Sequence, residues 1–125
     1  MPKLVLVVDD NAFIRQALSQ LFTSQADLDV CGEAENGVEA IKKAQELRPD
    51  AIVMDLSMPV MNGIDAARSL RNLMPDVPII MFSEYSDALS EDVARSAGVS
   101  ALVPKSKHVS ALLGEVRRWC GLIAA

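Results

Sequence analysis

Leu4-Val5-Leu6-Val7-Val8 is apolar at every position and runs straight into Asp9 and Asp10. A strand with one face in water alternates polar and apolar residues, so a run without alternation belongs to a strand covered on both faces. That need for two covering layers restricts the fold more than any other feature of the chain. Ala51–Met54 makes the same demand, and Pro78–Phe82 reads as a further strand.

Helical patterns fill the intervals. Ile14, Ala17, Leu18, Leu21 and Phe22 recur at helical spacing after the first strand. A second strand is expected at about Asp29–Ala34. Asn36 then reads as an N-cap with Glu39 as its capping-box partner, opening a helix that runs to Arg48 and stops before Pro49. Helix three starts near Asn62, carries Ala66, Ala67, Leu70, Leu73 and Met74 on one side, and ends at Pro75. Helix four is expected at about Asp87–Ala97, with Gly98 as its C-terminal cap. A short strand at about Ala101–Val103 precedes helix five, which carries Val109, Leu112, Leu113, Val116 and Cys120 on one face. Five βα units in succession, with no internal repeat and no linker, predict an α/β fold with a parallel sheet and helices on both sides. Right-handed crossovers prune the topologies, and the flavodoxin-like order 2-1-3-4-5 is the usual five-strand solution.

Composition narrows the function classes. The chain has 125 residues, enough for one domain over 1–125, either whole or cut from a longer protein. Half of it is apolar but only 4% is aromatic, so the core is built mainly from aliphatic residues, alanine and methionine. Twelve basic against 17 acidic side chains give a net charge of −5, which opposes direct binding to nucleic acid or anionic membrane. Cys31 and Cys120 match no zinc or redox spacing and read as reduced thiols. No signal segment or membrane-spanning run is evident, and a cytoplasmic location is expected.

In an open α/β sheet, ligands bind beyond the carboxyl ends of the strands. Asp9 and Asp10 follow strand one, Asp55 follows strand three, Ser83 ends strand four, and Lys105 comes just after strand five. The topology therefore gathers three carboxylates, a hydroxyl and an ammonium at one edge. Three nearby carboxylates require a counter-charge. A hard cation that keeps part of its water shell, Mg²⁺ above all, suits such a donor set. A carboxylate is also a competent nucleophile towards phosphorus. Each residue has a plainer reading: an aspartate capping helix one, a turn aspartate at 55, a loop serine, a solvated lysine. A cap needs one acid, however, and two stand directly after a buried strand.

These residues resemble the receiver domain of two-component response regulators. The resemblance rests on Asp9-Asp10, on Met54-Asp55-Leu56-Ser57-Met58-Pro59 with Gly63, on Ser83 and on Lys105, and it spans essentially the whole chain. It implies that Asp55 accepts a phosphoryl group from a phosphohistidine on a sensor kinase. It implies Mg²⁺ (or Mn²⁺) held by Asp10, Asp55 and the Ser57 carbonyl, with Asp9 beside it. It implies that Ser83 swings towards the phosphoryl group and that Lys105 pairs with it. Ile79-Ile80-Met81-Phe82-Ser83 looks like the subfamily whose receivers precede a helix-turn-helix DNA-binding module. A homodimer and an attached or separate output module are further implications.

The chain departs from the family pattern at three points. Leu102 stands where an aromatic residue is usual, so no ring is available whose burial accompanies hydroxyl movement. Glu84 follows the switch hydroxyl where a small residue is usual, and is expected to point outward. Ser106 follows Lys105 where proline is usual. A cis bond there costs ~2.5–4 kcal/mol, so a trans bond is expected. Ser57, Glu84 and Tyr85 occupy positions suited to tuning the lifetime of a phosphorylated state. His108 reads as a surface residue at the start of helix five.

Two other function classes compete. One is a degenerate receiver that binds partners without phosphorylation, which Leu102 and Glu84 favour and the intact set of Asp9, Asp10, Asp55, Ser83 and Lys105 opposes. The other is an enzyme on the same fold. Asp9-Asp10-Asn11 has the wrong charge for a flavin phosphate loop, and Ser57 stands where a phosphohydrolase needs a second acid.

Overall fold

The computed structural model describes residues 1–84 and 91–123. Strands and helices alternate strictly: β1 (Lys3–Val8), α1 (Ala12–Thr23), β2 (Leu28–Ala34), α2 (Gly37–Leu47), β3 (Ala51–Met54), α3 (Gly63–Leu73), β4 (Ile79–Ser83), α4 (Glu91–Ser96), β5 (Ala101–Pro104) and α5 (Val109–Trp119). Every strand pairing is parallel, and the sheet order is β2-β1-β3-β4-β5. This is the flavodoxin-like arrangement expected from the sequence.

The unbroken apolar runs are explained by burial on both sheet faces. Successive strand residues point to opposite sides. Val5 and Val7 join Val53, Ile80, Phe82 and Val103 against Leu18 and Phe22 of α1 and Leu112 and Val116 of α5. Leu6 and Val8 join Ile52, Met54, Ile79 and Met81 against Ala40 and Ala44 of α2, Ala66, Ala67 and Leu70 of α3, and Ala94 of α4. Among the described residues, no helix is long and apolar enough to cross a membrane.

Local chemistry sets the element ends. The Asn36 side chain accepts the Glu39 amide at 2.9 Å and caps α2, while the Glu39 carboxylate is engaged one turn on, 3.1 Å from Lys43. Gly98 closes the turn after α4 at φ +96°, in the left-handed region that glycine tolerates. β4 begins at Ile79 rather than Pro78, because proline has no N–H for the ladder. β2 and β5 each run one residue longer than the sequence pattern indicates. Ala17, Leu73 and Val109 fall on the exposed margins of their helices, so the core stripes are narrower than the apolar spacing indicates. The part of helix four expected over Asp87–Ser90 lies outside the described residues.

Gly63 is fixed by a close approach. A Cβ there would stand 2.3 Å from the Asp55 carbonyl oxygen and 3.0 Å from Leu56 Cα, both backbone atoms. The Gly63 amide also donates to the Leu56 carbonyl at 2.8 Å. Gly63→Ala is therefore expected to destabilise the protein by about 2 kcal/mol, read as a lower midpoint in urea unfolding. An unchanged midpoint would mean that the loop after β3 yields without cost.

Candidate functional site

The strand ladders continue one residue past the sheet, and these extra bonds place the site. Val8 is in register with Met54, and the Asp55 amide donates to the Val8 carbonyl at 3.0 Å. Asp9 and Asp55 thus leave adjacent strands side by side. Ser83 is in register with Pro104, and the Lys105 amide donates to the Ser83 carbonyl at 3.0 Å. β1 and β3 adjoin at the point where the strand order reverses, as the general rule for such sheets places a ligand crevice.

The charged groups meet there. Lys105 Nζ lies 3.0 Å from Asp9 Oδ2 and 3.5 Å from Asp55 Oδ1. Asp9, Asp10 and Asp55 each offer a carboxylate oxygen, and the three oxygens lie within 4.8 Å of one another. Asp9, Asp55 and Ser83 are buried, whereas Asp10 is exposed. Neither Asp9 nor Asp10 caps α1. That role falls to Asn11, whose side chain accepts the amides of Phe13 at 2.9 Å and Ile14 at 3.2 Å. The paired acids are therefore left for other work. Asp9 Oδ1 accepts the Asn11 amide at 2.9 Å, and Asp55 Oδ1 accepts the Leu56 amide at 2.9 Å.

The electrostatics are strained in one direction. Burial first, and then the Asp9 charge, push the Asp55 carboxyl up to about 6, with Asp10 adding to the rise. Lys105 and the Leu56 amide pull the other way without cancelling it. For Lys105, burial disfavours the charge, but the Asp9 hydrogen bond and the charges of Asp55 and Asp9 outweigh it, so its pKa is raised. One ammonium thus faces three carboxylates. The donors are hard oxygens close enough to share an ion, and they carry unbalanced negative charge. That donor set fits Mg²⁺ or Mn²⁺.

The remaining expected residues take different positions. Ser57 is exposed in the loop after β3, and Glu84 is exposed after β4, as its outward reading requires. The bond between Lys105 and Ser106 is trans. Leu102 is half-buried, opposite Met81, and packs against the core cluster of α2, α3 and α4. It also lines a cavity of about 290 Å³ with Trp119 of α5. Tyr85 lies outside the described residues. His108 caps α5, with Nδ1 accepting the Ser110 amide at 3.1 Å. Two contributors escaped the sequence reading: Asn11 as the cap, and Arg15, whose guanidinium donates to the Asp9 carbonyl at 2.9 Å. Asn11 had a sequence signal, being a favoured capping residue directly before the helical pattern.

Known proteins resemble this chain in sequence and fold. The family model described as the response regulator receiver domain matches residues 5–117. A protein-glutamate methylesterase/protein-glutamine glutaminase of Nocardioides sp. is 43% identical over 110 residues, covering 86% of this chain and 30% of that protein. The chain thus spans less than a third of that relative's length. The response regulator domain of Thermotoga maritima CheB superposes with a TM-score of 0.89 at 32% identity, over 99% of this chain and 100% of that one. The response regulator protein TrrA of Thermotoga maritima, solved in complex with Mg(2+)-BeF, superposes with a TM-score of 0.85 at 30% identity, over 94% and 98% of the two chains.

The raised pKa has a stability consequence. Between the unfolded value of 3.8 and the folded value of about 6, the native state binds the extra proton, so stability falls as pH rises through that window. A shift of that size corresponds to roughly 3 kcal/mol. Asp55→Asn removes the charge at nearly constant volume. In metal-free buffer above pH 6 this variant is expected to be more stable than wild type, and the gap should close towards pH 4. Urea unfolding at four pH values with chelator present checks it; a less stable variant at pH 7 would show that Asp55 gains more from Lys105 than it loses to burial and Asp9.

Proposed function

The chain belongs to the response regulator receiver family of two-component systems, and from that premise we propose that Asp55 is its phosphoacceptor. The observation that carries this reading is the convergence on Asp55: Lys105 Nζ at 3.5 Å, with Asp9 and Asp10 completing a group of carboxylates within 4.8 Å. In the proposed step an Asp55 oxygen attacks the phosphorus of a phosphohistidine on a sensor kinase. The O–P bond forms, the N–P bond breaks, and the imidazole leaves with the electron pair. With its carboxyl at about 6, Asp55 is mostly ionised at neutral pH and able to attack.

Each neighbour has a task that its chemistry suits. Lys105 moves from a carboxylate partner to a phosphoryl oxygen, keeping a negative partner throughout. The Ser83 hydroxyl donates to another phosphoryl oxygen. Asp10, Asp55 and the Ser57 carbonyl, with Asp9 alongside, would hold Mg²⁺ or Mn²⁺. The ion when bound supplies neutralisation of phosphoryl charge. Glu84 and Tyr85 follow Ser83 in the chain and suit a role in setting the lifetime of the acyl phosphate. Leu102 has no ring to report the switch, so any change it passes to the α4–β5–α5 side starts from movement of an aliphatic side chain.

Phosphorylation would then alter an interaction surface of a cytoplasmic regulator, with a homodimer or an output module as its reader. The resemblance of Ile79–Ser83 favours a DNA-binding output, whereas the 43%-identical relative is named a methylesterase. The receiver chemistry proposed here serves either one. Leu102 is the observation that favours the second reading, a binding module that acts without phosphorylation.

Intact-protein mass spectrometry after incubation with acetyl phosphate separates the two. A single phosphoryl adduct is expected with Mg²⁺, none with chelator, and none in Asp55→Asn. An adduct of equal yield in Asp55→Asn would move the acceptor elsewhere. No adduct in wild type, together with no metal binding, would favour the phosphorylation-independent module.

A further inference from the structure

Arg15 lies one turn into α1, and its guanidinium holds two other elements together. Nη1 donates to the Asp9 carbonyl at 2.9 Å, and Nε lies 3.1 Å from Glu33 Oε1. The Arg15 side chain is only 19% exposed. Glu33 is itself anchored: it is paired in β2 opposite Val7, and its carbonyl accepts a hydrogen bond from Lys43 of α2. Arg15 therefore ties the turn between β1 and α1 to the neighbouring strand.

That turn carries both leading acids. Each polar atom of Asp9 is engaged. Its amide donates to the Ala34 carbonyl at 3.0 Å, Oδ1 accepts from Asn11 at 2.9 Å, Oδ2 accepts from Lys105 at 3.0 Å, and its carbonyl accepts from Arg15. Asp10 is exposed and follows directly. The Asp9 carbonyl and the Asp10 nitrogen and Cα share one peptide plane. A group that fixes the carbonyl thus fixes the direction in which Asp10 leaves the turn.

We infer that Arg15 is a positioning residue for the metal site, clamping the Asp9 carbonyl to Glu33 so that Asp10 presents its carboxylate towards Asp55. The inference rests on the metal-dependent receiver reading and goes beyond it. Arginine suits the task because two nitrogens on one rigid plane reach a carbonyl and a carboxylate together, whereas lysine offers a single nitrogen. Two effects of removing Arg15 have opposite signs. Loss of a nearby positive charge would draw a cation more tightly into the carboxylates. Loss of position weakens it, so weaker binding on removal of Arg15 reads position and not charge.

Mn²⁺ titration followed by electron paramagnetic resonance reads the affinity directly, with circular dichroism confirming that each variant is folded. Arg15→Ala is expected to bind Mn²⁺ about 10-fold more weakly than wild type, the lower end for groups that orient metal ligands. Arg15→Lys should fall between the two. Equal affinity in wild type and Arg15→Ala would overturn the inference, and tighter binding would do so by showing that charge governs rather than position. Where Arg15→Ala does not fold, Arg15→Lys carries the test, because it keeps the charge and loses the second donor: weaker binding supports the clamp, and unchanged binding overturns it. Failure of wild type itself to bind Mn²⁺ would remove the metal reading, an outcome distinct from a bound wild type with an indifferent Arg15.

Discussion

The mutual repulsion of Asp9, Asp10 and Asp55, answered by the single ammonium of Lys105, is the interaction on which the rest of the site depends. These groups come from the ends of β1, β3 and β5, and no local segment of the chain could bring them together. Lys105 reaches across the sheet edge to touch Asp9 and Asp55 at once. It leaves a deficit of positive charge, visible in the raised carboxyl of Asp55. Converging hard-oxygen donors with unbalanced negative charge suit a divalent cation.

The sheet exists to hold that cluster at fixed separation. Burial on both faces restricts the freedom of β1, β3 and β4. The ladder bonds from the Asp55 amide to Val8 and from the Lys105 amide to Ser83 carry that rigidity one residue beyond the strands. Gly63 then allows the loop after β3 to fold back against the Asp55 carbonyl. Arg15 and Asn11 do the same for the loop after β1, one through the Asp9 carbonyl and one by capping α1. The two acidic loops are thus each fastened by neighbours that carry no chemistry of their own.

Much of this was legible in the sequence, for identifiable reasons. β3 was read to the residue because a strand buried on both faces has no polar position to blur its ends. Asn36 and Asn62 marked helix starts because their side chains accept first-turn amides that have no partner within the helix. The helix stripes were read too broadly, since Leu73 and Val109 are apolar yet exposed. Spacing records which residues are apolar and leaves open how wide a groove the sheet offers them. Arg15 was missed because its partners are a backbone carbonyl and a glutamate 18 residues away. A carbonyl carries no side-chain signature, so its use as an acceptor leaves no trace in the sequence.

The sequence by itself determined the strand and helix order, the two-sided burial, and the residue types that end each strand, because these follow from local periodicity and from the chemistry of single side chains. Only the tertiary structure decided which oxygens of Asp9 and Asp55 share Lys105, that Asn11 rather than an aspartate caps α1, and that Asp9 is enclosed while Asp10 remains open to solvent. The reason is physical: charge balance and accessibility depend on distances of a few ångströms between elements far apart in the chain, and those distances are set by how the elements pack.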